Sequence, residues 1–160
     1  MSTYNSFEGT ITFKTQQDFD RFVERATRGG YISPTTKKWV DELGNECTNT
    51  ELVIKERKIT FGGNYRNLGR LIGDNFNKEY SFEGTLWWDC LDGCYEMGMI
   101  SQDEYICWDM DEYANKVGLP EIDEDEHPEN YMDQVTDIID AFQENPHATP
   151  NTVKFVTEEN

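Results

Sequence analysis

Acidic side chains are distributed very unevenly along this chain of 160 residues. Residues 1–80 contain 11 acidic and 12 basic side chains, whereas residues 81–160 contain 21 acidic side chains and only Lys116 and Lys154 as bases. The net charge of −18 therefore comes almost entirely from the second half. An adaptation for solubility would spread acids over the whole surface, so we interpret the asymmetry as an interaction surface.

The acidic residues are densest between Asp103 and Glu144, where 15 acids are accompanied by one base. Within this region, residues 121–129 are almost purely charged, and Pro120 and Pro128 bracket them. Such a run repels itself, and prolines interrupt regular structure, so we expect an exposed loop or linker here. A solvated acidic segment without any partner is the alternative interpretation.

The remaining composition is that of a folded domain. Hydrophobic residues make up only 36% of the chain, but aromatic residues reach 13%, which favours a modest core built from large rings. The strong negative charge argues against direct binding of nucleic acid or of an anionic membrane. No basic and apolar leader begins the chain, and the four cysteines are not needed as disulfides in a domain of this length. We therefore expect a cytoplasmic, reduced protein without a membrane span.

The first half predicts alternating strands and helices. Glu8–Lys14 alternates like a strand, and Thr15 is placed to cap a helix that ends at Gly29. Lys38–Glu42 is a weaker strand candidate. Two further strands are predicted at Leu52–Ile54 and Lys58–Phe61. The paired glycines 62 and 63 are expected to break the chain after them. A second amphipathic helix is then indicated by apolar residues at helical spacing, namely Tyr65, Leu68, Leu71, Ile72 and Phe76.

The second half predicts three more strands, near Phe82–Asp89, Tyr95–Ile100 and Glu104–Trp108. The order of elements favours an α+β fold: a mostly antiparallel sheet with two helices on one face, with a ferredoxin-like arrangement as one possibility. We expect residues 1–118 to form this core domain. Residues 119–160 would add an acidic loop, an amphipathic helix and a final edge strand over residues 152–157, packed on the same domain.

One short internal repeat is visible. Ser6-Phe7-Glu8-Gly9-Thr10 recurs as Ser81-Phe82-Glu83-Gly84-Thr85, and Ile11 then corresponds to Leu86. The repeat is explained either by equivalent strand starts in a pseudo-symmetric sheet or by a shared turn preference. It informs the fold and not the function.

Residues 131–144 form the clearest helical pattern of the chain. Apolar side chains fall on one stripe, which comprises Tyr131, Val135, Ile138, Ile139 and Phe142. Four acidic side chains fall on another face, Asp133, Asp137, Asp140 and Glu144. At a rise of about 1.5 Å per residue, consecutive carboxylates stand about 4.5–6 Å apart along the axis. An ordinary surface helix docked by its apolar stripe would have the same pattern.

The sequence contains little that indicates catalysis or a metal centre. Cys90 and Cys94 have a C-x₃-C spacing without a second matched pair, so zinc is not expected, and Cys47 and Cys107 are interpreted as small core residues. The acidic segment 109–112 lacks the spaced ligands of a calcium loop. The two histidines, His127 and His147, lie in predicted loops, and the common nucleophile and phosphate-binding motifs are absent. We expect neither a cofactor nor an enzyme.

In charge, size and cytoplasmic setting the chain resembles the acidic DNA-mimic inhibitors made by phages and mobile elements, although it matches no diagnostic motif of any one family. The resemblance implies a non-enzymatic inhibitor, monomeric or homodimeric, that blocks the nucleic-acid-binding cleft of a basic host protein, such as a restriction or CRISPR complex. Aromatic residues in the same region, expected to be exposed, would serve as anchors: Trp87, Trp88, Tyr105, Trp108 and Tyr113. The carboxylates that would stand in for phosphates are Asp109, Asp111, Glu112, Asp123, Glu124, Asp125, Glu126, Asp133, Asp137, Asp140 and Glu144.

Three other functions fit the same sequence. An immunity or antitoxin protein would neutralise one basic nuclease toxin with very high affinity. A small carboxylate- or metal-dependent enzyme would need a perturbed carboxylate or histidine in a closed pocket. A phage structural or assembly protein would form stable assemblies.

Overall fold

The strands that the sequence predicts assemble into one six-stranded antiparallel sheet, and the fold is α+β with about 34% helix and 34% strand. The structure, a computed structural model, describes residues 4–66, 68–91, 95–122 and 131–148. The strands are β1 (Tyr4–Phe13), β2 (Thr50–Val53), β3 (Lys58–Arg66), β4 (Phe82–Cys90), β5 (Glu96–Ile100) and β6 (Tyr105–Asp109). The helices are α1 (Gln16–Arg28), α2 (Phe76–Glu79), α3 (Met110–Val117) and α4 (Tyr131–Glu144). The spatial order of the strands is β2-β3-β1-β4-β5-β6.

The chain divides into two compact units. Unit 1 comprises Met1–Cys94 and Gly98–Tyr105, and unit 2 comprises Tyr95–Met97 and Ile106–Asn160. The proposed division into a core domain, 1–118, and an appended segment, 119–160, stays a prediction. No helix among the described residues is long and apolar enough to cross a membrane.

Unit 1 has the connectivity of a ferredoxin-like sheet. Its elements follow the order β1-α1-β2-β3-α2-β4, and β1 lies between β3 and β4, antiparallel to both. The hairpin partner of β3 is β2 at the sheet edge. This arrangement is the β-α-β-β-α-β pattern that the sequence order predicts.

The core of unit 1 lies between one sheet face and its helices. Thr15 caps α1 as predicted, since its hydroxyl accepts a hydrogen bond from the Asp18 backbone N–H at 3.1 Å. Phe13, the last residue of β1, packs against α1, and its ring lies 5.2 Å from that of Phe22. The Phe13 ring also lies 5.7 Å from Tyr80, at nearly a right angle. Buried aromatic pairs of this kind contribute about 0.5–1.5 kcal/mol beyond their area burial.

The internal repeat is explained by strand pairing. Thr10 lies opposite Thr85, Gly9 opposite Leu86 and Ile11 opposite Gly84, so the two copies pair about a local two-fold axis. Both glycines have positive φ, and a Cβ built on either would lie 2.2–2.3 Å from the carbonyl oxygen of the threonine in the other copy. No side chain fits at such distances, which accounts for glycine in each copy.

The second predicted helix is wrong in extent. β3 continues through Gly62 and Gly63 as far as Arg66, because both glycines pair with β1. Tyr65 is therefore a strand residue, and its hydroxyl receives the Gly62 N–H at 3.3 Å. Beyond β3, a 3₁₀ turn at Leu68–Arg70 and the single-turn α2 bury the remaining apolar residues. The apolar residues from Tyr65 to Phe76 are therefore spaced as in a helix although they belong to a strand and to the short turns after it.

The strand predicted for residues 38–42 is wrong, and the one predicted for residues 152–157 is not tested. Residues 38–42 form no strand; the segment makes only isolated bridges, Ile32 with Trp39 and Val40 with Glu46. Because Asp41 accepts hydrogen bonds from two backbone N–H groups beyond it, the chain turns back at this point. The final strand predicted for residues 152–157 lies outside the described residues.

Unit 2 contains a helix that the sequence analysis missed. α3 begins after Asp109, whose side chain caps it, and ends at Gly118 in the left-handed conformation with φ 76°. The signal was present as Asp109 followed by Glu112 three positions later, with a glycine beyond the last turn. α4 has the predicted bounds.

Candidate partner-binding surface

The acidic and apolar stripes of α4 lie on opposite sides of the helix. Val135, Ile138 and Phe142 are each about 1% exposed, whereas the carboxylate-bearing residues are exposed. At about 100° per residue, the four carboxylates fall within an arc of about 60°. The members of this acidic stripe are Asp133, Asp137, Asp140 and Glu144. The predicted placement of these four residues on one face is therefore met within α4.

The acidic stripe destabilises the helix that carries it. Like charges three or four residues apart cost a few tenths of a kcal/mol per pair. Asp133 lies in the first turn, where the helix dipole favours it, but the last turn has no basic residue and ends at Glu144. Local stability therefore does not account for the stripe.

The described carboxylates of unit 2 greatly outnumber the basic residues in the same ranges. The described part of this unit, residues 95–97, 106–122 and 131–148, contains nine acidic residues and one base, Lys116. None of these nine carboxylates forms an ion pair, whereas the described residues of unit 1 form six. The negative potential over this part of unit 2 is therefore not neutralised from within.

Tyr113 fixes α3 to the C-terminal end of α4. Its hydroxyl donates to the backbone carbonyl oxygens of Ala141 and Asn145, at 2.9 and 2.7 Å. Its ring meets that of Phe142 at nearly a right angle, 5.7 Å between centroids. Burial, with a smaller contribution from the Glu144 carboxylate, raises the pKa of Tyr113 to about 12. The hydroxyl therefore stays protonated as a donor at physiological pH.

Trp108 adds a second connection in the same unit. Its indole N–H donates to the Pro146 carbonyl oxygen at 2.9 Å, and its ring lies 5.5 Å from that of Tyr113. The two aromatic residues thus hold both α3 and the segment after α4. The acidic stripe is presented on a preformed support rather than on an isolated helix.

The three acidic residues at the start of α3 are not equivalent. The Asp109 carboxylate accepts from the Glu112 N–H at 3.1 Å, and the Asp111 carboxylate accepts from the Ile122 N–H at 2.9 Å. Both groups therefore have roles in the fold, while Glu112 is exposed. The four candidates Asp123, Glu124, Asp125 and Glu126 lie outside the described residues.

The prediction of exposed aromatic anchors is wrong for Tyr113, which is fully buried. Trp87, Trp88, Tyr105 and Trp108 are half-buried. Tyr113 was misjudged because α3 was not recognised, and its buried face comprises Met110, Tyr113, Ala114 and Val117.

A carboxylate pair on the sheet of unit 1 was also missed. Asp89 lies opposite Ser6 in the β1–β4 ladder, while Glu8 lies opposite Trp87, so the two carboxylates are diagonal neighbours. Burial, and then the charge of Glu8, raise the pKa of Asp89 to about 6. Only the register of the two strands could have revealed this pair.

Metal chemistry receives no support from the described residues, which contain no group of three histidine, cysteine or acidic side chains able to hold a metal ion. Cys107, expected in a core, is exposed, with its Sγ 3.7 Å from a Glu96 carboxylate oxygen. Cys47 is half-buried, and burial followed by the Asp41 charge raises the pKa of its thiol. A raised pKa leaves the thiol protonated and poorly nucleophilic.

Neither the protein-family models, nor the curated proteins, nor the solved structures compared with the chain gave a match.

Proposed function

We propose that the protein is a non-enzymatic inhibitor that uses the carboxylates of unit 2 to occupy the nucleic-acid-binding cleft of a basic protein. The observation that carries the proposal is the acidic stripe of α4, exposed and without an ion pair among the described residues. The partner would belong to a host defence system or another nucleic-acid-processing machine, as for the DNA-mimic inhibitors of phages and mobile elements.

The spacing of the stripe supports phosphate mimicry in part. Its four carboxylates span about 16 Å along the helix at intervals of about 4.5–6 Å. A DNA strand presents one phosphate per about 3.4 Å of axis. One helix therefore supplies fewer charges than a DNA strand, and Glu112 together with the acidic segment 121–126 would supply more.

Preorganisation supports tight binding. A groove that binds DNA loses its own counterions when an anionic partner enters, and a rigid partner loses less conformational entropy on binding. Tyr113 and Trp108 hold the support of the stripe by hydrogen bonds to backbone carbonyls. The association should be fast and should weaken with salt.

The test combines three reversals on the stripe, Asp133→Lys, Asp137→Lys and Asp140→Lys. Immobilised protein is exposed to nuclease-treated lysate of a prospective host at low and high salt. The wild type should capture a basic nucleic-acid-binding protein that duplex DNA displaces, and the reversal variant should lose it. Circular dichroism and thermal unfolding establish that the variant is folded.

A matched control makes the same change of charge in unit 1, at three exposed acidic residues, Asp20→Lys, Glu51→Lys and Asp74→Lys. This control should retain the partner. Undiminished capture by the α4 variant would contradict the proposal, and equal loss in both variants would show that only net charge matters. A captured toxin nuclease, neutralised one to one, would identify an immunity protein instead.

A further inference from the structure

The two flanks of α4, between its acidic stripe and its buried stripe, carry different side chains. On one flank, Met132 is 44% exposed and Ile139 is half-buried. The other flank carries Gln134 and Ala141, a polar and a small residue. We call Met132 and Ile139 the apolar flank. A row of large apolar side chains therefore borders the acidic stripe on one side only.

The apolar flank runs parallel to the acidic stripe. Its two members are seven residues apart, so they lie on nearly the same line of the helix, about 10.5 Å apart along the axis. That line is about 100° around the helix from the stripe. Thr136 and Gln143 lie between the two rows, and both are exposed. The Thr136 hydroxyl donates to the Met132 carbonyl oxygen at 2.9 Å, so a partner can cover it without leaving that donor unsatisfied.

The position of Met132 matters more than its exposure. Among the described residues, the exposed large hydrophobic side chains are those of Leu43, Ile54 and Met132. Single exposed apolar residues are common on protein surfaces. Leu43 and Ile54 belong to unit 1, whereas Met132 lies beside carboxylates that form no ion pair. The flexible thioether of methionine adapts its shape to a partner, which suits an interface.

The charge of the stripe selects the kind of occupant. The α4 helix of a second copy would bring two acidic stripes together, and like charges repel. A nucleic acid or an anionic membrane would be repelled for the same reason. The remaining occupant is a protein surface that brings cations to the stripe and apolar side chains to the apolar flank.

The spacing of the stripe selects a helix within that surface. Its carboxylates follow one another along the axis at intervals of about 6, 4.5 and 6 Å. Basic residues at the same sequence spacing on a partner helix repeat these intervals. Alternate residues of a strand stand about 6.6 Å apart and would be out of register by about 3 Å at the last carboxylate. Lys and Arg also lay their apolar stems along a surface while their charges reach outward.

We infer that α4 binds an amphipathic helix of the basic partner. That helix would lie along α4 over Thr136 and Gln143, with Lys or Arg side chains toward the acidic stripe and an apolar row toward Met132 and Ile139. The inference rests on the proposed function and adds the element of the partner that is recognised. Charge alone attracts many basic clefts, whereas the apolar flank discriminates among them.

Two synthetic helical peptides of about 18 residues test the inference. The first carries a row of Lys beside a row of Leu on an alanine background, and the second has Gln in place of each Leu. Fluorescence anisotropy of the labelled peptides measures their affinity for the wild-type protein. The Lys–Leu peptide should bind about tenfold more tightly than the Lys–Gln peptide. High salt should weaken the Lys–Gln peptide more, because salt screens charges and not apolar contacts.

Substitutions at Met132 separate the apolar flank from the stripe. Met132→Gln should reduce the preference for the Lys–Leu peptide to less than threefold, whereas Met132→Leu should retain it. Leu43→Gln makes the same apolar-to-polar change at an exposed residue of unit 1 and should also retain the preference. Circular dichroism establishes that each variant keeps its helices.

The outcomes distinguish this inference from the proposed function. Equal affinity of the wild type for both peptides, binding of neither peptide, or an unchanged preference in Met132→Gln would overturn the helix-binding flank. Capture of a basic partner through the stripe would then still stand. If both peptides bind the triple reversal variant of the stripe as tightly as they bind the wild type, the role of the carboxylates fails as well.

Discussion

The two units of this protein manage charge in opposite ways. Unit 1 contains six ion pairs among its described residues and has 12 bases against 16 acids, and its core is rich in aromatic rings. The described part of unit 2 has nine acids and one base, and none of the nine carboxylates forms an ion pair. Surface ion pairs contribute only about 0–1 kcal/mol each to the free energy of unfolding, so a unit with few of them loses little stability. The repulsion along α4, however, lowers stability, and binding a basic partner would relieve it.

The largest expected effect is at the strand pairing of unit 1. Gly9→Ala or Gly84→Ala should destabilise the protein by about 3 kcal/mol or more, because the new Cβ meets a threonine carbonyl and the backbone has positive φ. Chemical denaturation measures the loss. Gly69→Ala is the matched control, since a Cβ there meets nothing within 4 Å and no positive φ applies. Comparable stability of all three variants would refute the steric explanation of the repeat.

The next effect is in unit 2. Tyr113→Phe removes the hydroxyl shared by two carbonyl oxygens and should cost about 1–2 kcal/mol. Denaturant unfolding measures the loss, followed by tryptophan fluorescence, to which Trp108 beside Tyr113 contributes. Tyr131→Phe is the control, as the Tyr131 hydroxyl has no hydrogen-bond partner within the described ranges. An effect confined to the control would show that Tyr113 does not hold the support.

A smaller effect is expected in unit 1, where Asp89 should make the free energy of unfolding depend on pH. The folded pKa of Asp89 is about 6, against an ordinary value of 3.8, so the folded state binds more protons than the unfolded state between these values. Stability due to Asp89 should fall as pH rises through this window. After allowance for solvent screening, Asp89→Asn should be more stable than wild type by about 1 kcal/mol at pH 7.

The measurement is denaturant unfolding of wild type and Asp89→Asn at pH 4 and pH 7. The difference between the two proteins isolates this group from the general effect of the acidic chain. Asp74→Asn, at an exposed acidic residue of the same unit, is the matched control for the loss of one carboxylate. A wild type that gains stability over Asp89→Asn on raising the pH would reverse the assigned sign.

The smallest effects compare charge pairs directly. Asp137→Lys places a cation within one turn of Asp133 and Asp140 and should stabilise the protein by about 0.5 kcal/mol. Glu24→Lys breaks the exposed pair with Arg28 and should destabilise it by a similar amount. Thermal unfolding at low salt measures both, and high salt should diminish both. Loss of stability in Asp137→Lys at low salt would show that α4 is not under repulsion.

Local patterns predicted much of this fold. Thr15, the apolar stripe of α1 and the period of α4 each depend on residues within a few positions of one another, and all three predictions are confirmed. The helix expected from Tyr65 to Phe76 failed because its apolar spacing came from residues buried by distant strands. α3 was overlooked although its capping residues, Asp109 and Gly118, are visible in the sequence.

The sequence by itself determined the α+β class, the concentration of charge in the second half and the common face of the α4 carboxylates. These follow from composition and from short-range periodicity. Only the tertiary structure decided that Tyr113 is buried, that Asp89 neighbours Glu8, and that the two copies of the repeat pair across a two-fold axis. Each of these depends on residues far apart in the chain, whose proximity is set by strand register and packing and leaves no periodic signal.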